Sequence, residues 1–208
     1  VLSLYQPLAA SMVLAAGVEP VVQGAMAHSP DVRSSLAAYA VCVSIVWLAR
    51  TNLWNTQQVV IARVKGQASY VVVRRFVTSL GLGTTVLMAI VLVPAVGEVV
   101  FGGLSGLEGQ VKEYARHGFA ILLIVLFLQG WRSLYYGTLV AMGDTSGIRT
   151  AAVARVIMLL AALGAGVLHG GWAGIYVAAG ATLLAELTEV GALHISVRRV
   201  LAAAPADA

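Results

Sequence analysis

The sequence predicts an all-α integral membrane protein, a bundle of about six transmembrane helices. Hydrophobic residues make up 60% of the chain and charged residues only 11%, whereas a soluble domain carries about 25% charged residues. The mean hydropathy is +0.90. The 208 residues divide into about six apolar stretches of roughly 20 residues with short connections. This length leaves no room for a sizeable soluble domain beside the bundle.

The first three spans are predicted from apolar runs that end at turn residues. The first covers about 4–27 and stops at a turn over 28–31, and the second covers about 36–61. The second span is apolar in its first half and polar in its second half. The third covers about 76–93 and ends at Pro94, because proline lacks the backbone N–H that would continue the helix.

The last three spans follow a glycine-rich segment. Residues 97–109 are too polar and too broken to span a membrane, so they predict an interfacial loop or a short helix. The fourth, fifth and sixth spans cover about 118–141, 150–168 and 172–194. The fifth and sixth are rich in small residues, which allow helices to approach closely in lipid, so we expect a tightly packed hairpin. These small residues include Gly164, Gly166, Gly174 and Gly180.

Residues 1–200 are therefore predicted to form one six-span lobe, followed by a disordered tail over 201–208. Because cytoplasmic loops are enriched in Lys and Arg, both termini are predicted to be cytoplasmic, with the bundle in the cell (inner) membrane. The net charge of +4 is then a topology signal, and no nucleic-acid partner is predicted. A start at Val1, close to a span, is typical of a processed chain or of a piece of a longer one. The predicted cytoplasmic side holds Arg63, Lys65, Arg74, Arg75, Arg149, Arg198 and Arg199, and the other side holds Arg33, Lys112 and Arg116.

The first span carries a carboxylate and a proline, Glu19 and Pro20, inside an otherwise apolar run. A charge at that depth costs about 3 kcal/mol or more unless it is paired, protonated or facing water. Glu19 shares a helical face with Ser11 and Gln23, so it is a candidate ion-coupling residue for H⁺ or Na⁺. The structural alternatives are a salt bridge to Arg50 or a cap on the helix break at Pro20.

Two arginines, Arg50 in the second span and Arg132 in the fourth, lie at similar predicted depths, roughly 22 to 24 Å from the external ends of their spans. Buried guanidiniums with few anions nearby indicate a site for a phosphate- or carboxylate-bearing substrate. Gln129 shares a helical face with Arg132 and joins this candidate site. The alternative is that each arginine reaches along its own helix or bonds a neighbouring carbonyl.

A polar stripe on the second span is predicted to line the substrate path. Ser44, Thr51, Asn55 and Gln58 recur at helical spacing, and Thr51, Asn55 and Gln58 are counted as candidate substrate-binding residues. Such a stripe has to face protein or water.

The fifth and sixth spans predict a structural ion pair. Glu186 and Glu189 share one face of the sixth span, and Arg155 lies at matching depth on its antiparallel neighbour. A satisfied pair costs much less than a lone buried charge, so a structural role is favoured over a functional one.

Catalytic and metal-binding patterns are not found in the sequence. The four histidines lie near span ends without metal-ligand spacing, and Cys42 is a lone cysteine in an apolar run. The chain is therefore predicted not to be an enzyme and to bind no metal, and a coupling H⁺ or Na⁺ is the only cofactor considered.

The residues resemble one lobe of the MATE-type transporters of the multidrug/oligosaccharidyl-lipid/polysaccharide flippase superfamily. The resemblance is carried by six spans with both ends inside, a long polar second span, and a turn that closes the fourth span. The residue pattern of the first two spans is similar to that of the branch that contains the progressive ankylosis protein. The matching segments are Gln6-Pro7-Leu8, Glu19-Pro20, Leu36-Ala37-Ala38-Tyr39, Gln57-Gln58 and Ala141-Met142-Gly143-Asp144-Thr145.

This resemblance implies a partner. The family's full transporter has two such lobes with the substrate between them, so the chain is expected to be half of a longer protein or to form a homodimer. Family members place an ion-coupling carboxylate in the first helix of a lobe, where Glu19 stands here. Arg50 and Arg132 depart from the drug-efflux pattern and point to anions, as in the flippase and ankylosis branches.

The predicted function is a secondary active transporter lobe that exports an anionic, phosphate- or carboxylate-bearing solute or lipid-linked substrate by alternating access. Its predicted partners are membrane lipid, a second lobe or second copy, and the small anion. Two alternatives stay open: H⁺- or Na⁺-coupled efflux of cationic drugs through Glu19, and a non-transporting membrane scaffold subunit whose buried charges are structural.

Overall fold

The computed structural model describes residues 16–203, which form an all-helical bundle. Five helices in this part of the chain are long and apolar enough to cross a membrane, so the chain is a multi-pass membrane protein. In chain order the helices are α1 (16–26), α2 (Val32–Arg63), α3 (Gln67–Ala89), α4 (Pro94–Gly97), α5 (Gly109–Ala141), α6 (Ser146–His169) and α7 (Gly174–Ala203).

The first predicted span, 4–27, lies partly outside the described residues. Its described portion, α1, is helical through Pro20 and ends in a turn over 27–31. Asp31 adopts a left-handed backbone conformation in that turn, with φ of 55°. Ser11, which was predicted to share a face with Glu19, also lies outside the described residues.

The spanning helices are longer than the apolar runs that predicted them. α3 begins at Gln67 rather than near 76, and α5 begins at Gly109 rather than near 118. Hydropathy identifies the part of a helix that crosses lipid, whereas residues such as Lys112 and Glu113 are good helix formers that extend the helix past that boundary. For the same reason α7 continues through Ala203, so 201–203 are helical rather than part of the predicted tail.

The helix α5 is the centre of the bundle. It packs against α2, α3 and α7, and α6 packs mainly against α7 as the predicted hairpin. Phe119 and Leu126 of α5 belong to the larger apolar core, and Leu134 and Leu139 belong to a second core further along the helix. The charged side chains described below lie on the helices that surround α5 and on α5 itself.

Glycines set the helix separation at several contacts. A Cβ on Gly137 of α5 would lie 2.6 Å from Val60 Cβ of α2, and a Cβ on Gly166 of α6 would clash with the Val177 side chain of α7. These positions have no room for a larger residue, as expected for close helix packing in a membrane. Gly164 and Gly180 face open space instead, so the small residues of the hairpin do not all lie at its interface.

The segment between α3 and α5 is a series of short helical pieces. A 3₁₀ turn over Ile90–Leu92 precedes α4, and a π-helix over Glu98–Leu104 follows it. Lys112 of α5 donates to both carboxylate oxygens of Glu98 at 2.8 Å. The segment thus contains short helices, as one of the two expectations had it, and they are too short to cross a bilayer.

Candidate functional site

Four helices bring five ionisable side chains together inside the bundle. By a rise of about 1.5 Å per residue, Glu186 lies roughly 18 Å from the start of α7 and Arg155 roughly 14 Å from the start of α6. Both distances place the charges well inside the membrane-crossing part of the hairpin. This buried charge cluster consists of Arg50 of α2, Arg132 of α5, Arg155 of α6, and Glu186 and Glu189 of α7.

Glu186 is shared between two arginines. Its Oε1 atom lies 3.0 Å from Nη2 of Arg155 and 3.5 Å from Nη2 of Arg50. Its Oε2 atom is buried and has no hydrogen-bond partner among the described residues. The contact with Arg50 is the longest of the ion pairs in the cluster.

Glu189, one helical turn further along α7, has a fuller set of partners. Its Oε2 atom lies 3.0 Å from Nε of Arg132 and 3.4 Å from Nη1 of Arg155, and its Oε1 atom accepts a hydrogen bond of 3.1 Å from the Tyr136 hydroxyl. The Arg132 guanidinium also lies 5.2 Å from the centre of the Tyr136 ring, within cation–π range.

Arg50 is oriented from α5 as well as from α7. Its Nε atom donates a 2.9 Å hydrogen bond to Oε1 of Gln129, whose amide nitrogen in turn lies 3.4 Å from the Ser133 hydroxyl. Gln129 is buried, so this contact positions one edge of the guanidinium.

The cluster carries an excess of positive charge, and two of its side chains are partly exposed. Three guanidiniums against two carboxylates leave one positive charge in excess. The carboxylate side chains are fully buried and the Arg155 side chain is 10% exposed, but the Arg132 and Arg50 side chains are 17% and 26% exposed. The accessible part of the cluster is therefore cationic.

The predicted pairing of Arg155 with Glu186 and Glu189 is present at 3.0 and 3.4 Å. The expectation that Arg50 and Arg132 have few anions nearby is wrong, because both arginines pair with the glutamates of α7. Spacing within one helix shows which residues share a face, but it does not show which other helices that face meets.

Two further contributors were not predicted as site residues. Tyr136 and Ser133 each lie four residues beyond a predicted site residue, Arg132 and Gln129 respectively. Polar residues that recur at this spacing on one face of a membrane helix are the signal that would have included them.

Glu19 does not join the buried charge cluster. It is half-buried on α1 and accepts a 3.3 Å hydrogen bond from Gln23 of the same helix. Within the described residues it makes no ion pair with Arg50, so the structural alternative of a salt bridge to Arg50 is not found there. Tyr39 of α2 lies within electrostatic range of both Glu19 and Arg50 and hydrogen-bonds with Thr182 of α7.

The polar stripe of α2 lies on the outer face of the helix. The hydroxyls of Ser44 and Thr51 donate to the backbone carbonyls four residues earlier. Asn55 and Gln58 are exposed, and their side chains have no hydrogen-bond partner in the range 16–203. The predicted binding set is thus divided: Arg50, Arg132 and Gln129 come together, whereas Thr51, Asn55 and Gln58 face outward.

In the part of the chain that the structure describes, no group of three or more His, Cys, Asp or Glu side chains comes together in a way that could hold a metal ion. Cys42 is buried and donates a 3.1 Å hydrogen bond to the Ala115 carbonyl of α5. The ionisable side chains of the buried charge cluster therefore remain the strongest candidate for a binding site.

Comparison with known protein families, with curated proteins and with solved structures finds no match to this chain. The class that the fold and the site define is a multi-pass helical membrane protein with a buried ionic cluster. The resemblance to a MATE-type lobe is carried by the sequence motifs alone.

Proposed function

We propose that the chain is one lobe of a secondary active transporter that exports an anionic, phosphate- or carboxylate-bearing solute or lipid-linked substrate by alternating access. Arg50 and Arg132 would bind the anion, with Gln129 orienting Arg50. The single observation that carries the proposal is the partly exposed, net cationic side of the buried charge cluster. Ionisable groups at membrane depth most often mark a substrate or ion pathway.

The chemistry of the two arginines suits an anion. A guanidinium presents planar, paired donors that match carboxylate and phosphate oxygens. Arg155 is fixed by both glutamates, whereas Arg50 has a longer ion-pair contact and a more exposed side chain. Arg50 can therefore exchange its partner at the smallest cost among the three arginines.

The outer face of α2 supports a second lobe, either in the same protein or in a second copy. Asn55 and Gln58 expose amides without partners in the described chain, and Trp47 and Trp54 on the same helix are 58% and 55% exposed. Unsatisfied amides are costly in hydrocarbon. We propose that this face adjoins a water-filled passage between two lobes related by an axis along the membrane normal.

The proposed function includes an orientation of the chain in the membrane and a coupling ion. The excess of Lys and Arg on one side supports cytoplasmic termini in the cell (inner) membrane. Glu19, which has no ion pair among the described residues, is a candidate for coupling to H⁺ or Na⁺, through Tyr39 as the connection to Arg50.

Flux measurements test the proposed function. The purified protein would be reconstituted into liposomes, and counterflow of radiolabelled orthophosphate, a phosphorylated sugar and succinate would be measured. Arg50→Gln and Arg132→Gln should each reduce flux of the transported anion about tenfold or more, the loss of a charged hydrogen bond of about 1.5–3 kcal/mol. Arg149→Gln, an exposed arginine on α6 outside the cluster, is the matched control. Flux unchanged in both cluster variants would refute the anion assignment.

A non-transporting scaffold is the second candidate, and the mutual pairing of the cluster favours it. Each of its five charges has an opposite charge within 3.5 Å. A purely structural cluster predicts no flux for any solute, and it predicts that Arg155→Glu is rescued by Glu186→Arg in thermal stability.

Cationic drug efflux is the third candidate, favoured by the half-buried Glu19 without a cation partner in the described chain. It predicts export of a cationic dye that is lost in Glu19→Gln and retained in Arg50→Gln. A dye accumulation assay in cells separates it from anion transport.

A further inference from the structure

We infer that Glu186 is the residue that links anion binding to proton uptake: an anion that binds Arg50 displaces the Glu186 carboxylate, which then takes up a proton. This inference deepens the proposed function and rests on it. It assigns the proton-linked role to α7 rather than to Glu19 of α1.

The geometry distinguishes Glu186 from Glu189. The Oε1 atom of Glu186 is shared by Arg155 and Arg50, and its Oε2 atom is buried without a hydrogen-bond partner in the described chain. Glu189 uses one oxygen for Arg132 and Arg155 and the other for the Tyr136 hydroxyl. Only Glu186 therefore has an oxygen free to carry a proton without losing an existing contact.

The charges around Glu186 come from every helix packed against it. Arg50 faces it from α2, Arg132 from α5 and Arg155 from α6, and Glu189 lies beside it on α7. These cations offset the negative charge of Glu186, and Arg155 and Arg50 do so by direct contact.

An anion at Arg50 changes this balance. It removes one of the counterions of Glu186 and adds a negative charge nearby, and a buried carboxylate in that position favours its neutral form. Uptake of one proton at Oε2 compensates for one negative charge of the bound anion. Arg155 retains its contact with Glu189 throughout, which keeps α6 and α7 together.

Because proton uptake and anion binding are thermodynamically linked, the sign of the pH dependence of anion affinity is fixed. If anion binding is accompanied by uptake of one proton, affinity rises as the pH falls, by up to about tenfold for each pH unit. Glu186→Gln, which mimics the neutral form, should bind the anion at all pH values about as tightly as the wild type does at low pH.

Calorimetric titration with sodium sulfate at two pH values about two units apart tests the pH dependence of anion affinity. Sulfate keeps its charge across this pH range. The wild type should lose up to about a hundredfold in affinity at the higher pH, and Glu186→Gln should lose little. Glu108→Gln, which changes an exposed glutamate outside the buried charge cluster, is the matched control and should follow the wild type. A wild-type pH profile in Glu186→Gln would overturn the inference.

If Glu186→Gln does not fold, proton uptake on sulfate binding can be measured with the wild-type protein. Sulfate added to the wild type in weakly buffered solution should raise the pH, by up to one proton taken up per sulfate bound. Binding without proton uptake would overturn the inference while leaving the proposed function standing. No Arg50-dependent sulfate binding at any pH would instead overturn the proposed function.

Discussion

Glu189 shows how a carboxylate is tolerated at membrane depth. Its side chain is fully buried and meets two guanidiniums and one hydroxyl. The cost of taking charges out of water is offset only where such contacts are close and complete. Removing Glu189 leaves Arg132 without its counterion and Arg155 with Glu186 alone, which is why the effects of single substitutions should be large and unequal within the cluster.

The first prediction follows from these contacts. Glu189→Gln should lower the free energy of unfolding by about 3–5 kcal/mol, because Arg132 and Arg155 lose a shared counterion. Glu19→Gln, at a half-buried position with one intrahelical hydrogen bond, should change it by about 0.5 kcal/mol or less. Thermal unfolding of both variants in detergent measures the difference. Equal shifts would mean that the ion pairs of Glu189 contribute nothing.

The helix α5 determines how closely α2 and α3 approach near the buried charge cluster. Gly81 of α3 lies near Gly130 of α5, where a Cβ on Gly130 would meet the Gly81 Cα at 3.7 Å. On another face of α5, Gly137 adjoins α2 within one helical turn of the Tyr136–Glu189 contact. The spacing between α2 and α5 therefore also sets the distance between Arg50 and Gln129.

Gly137→Ala should separate α2 from α5. The added methyl group would lie 2.6 Å from Val60 Cβ and 3.0 Å from the Gln57 carbonyl oxygen, and overpacking of this kind costs about 1–3 kcal/mol. Gly83→Ala, at a helical glycine with no atom within 4 Å, should be neutral or stabilising by up to about 1 kcal/mol. The melting temperatures of the two variants give the comparison, and Val60→Ala should partly restore Gly137→Ala. A stabilising Gly137→Ala would contradict the close contact.

The sequence predicted the elements better than their contacts. Apolar runs located α2, α3, α5, α6 and α7, and the shared face of Glu186 and Glu189 led to the partner Arg155. Residues on neighbouring elements of a hairpin are constrained by their register, so this pair could be inferred. Arg50 and Arg132 pair with α7 across gaps of more than 50 residues along the chain, and no periodicity within one helix encodes such a contact.

The position of the polar stripe of α2 relative to the cluster could not be predicted from the sequence. The residues of the stripe share one exposed face of α2, as their spacing predicts. What the sequence did not show is that the stripe and Arg50 occupy different faces of one helix, so that Thr51, Asn55 and Gln58 do not reach the cluster. The side chain of Arg50 is directed toward α5 by its hydrogen bond to Gln129.

At the scale of the whole molecule, two lobes with an aqueous passage predict water at the outer face of α2. A cysteine at position 51, introduced by Thr51→Cys, should react with a membrane-impermeant maleimide, whereas Leu82→Cys on the exposed face of α3 should not. Position 51 lies roughly 18 Å and position 82 roughly 22 Å from the connection at 64–66 that joins the two helices. The native Cys42 is buried and gives little background.

Labelling yields from intact cells or sealed vesicles provide the measurement. Reaction at position 51 alone supports an aqueous passage beside α2. If neither position reacts, the outer face of α2 is covered by lipid or by a dry protein contact, and the two-lobe proposal with a water-filled passage is wrong.

The order of the charges along the chain has a consequence for biosynthesis. The three guanidiniums belong to α2, α5 and α6, and both carboxylates belong to α7, the last of the described spanning helices. Inserting two ionised glutamates into a bilayer on an isolated helix costs several kcal/mol. The nascent α7 is therefore expected to leave the translocon only when the earlier helices can receive it, and a chain truncated before α7 would be a natural target for membrane quality-control proteases.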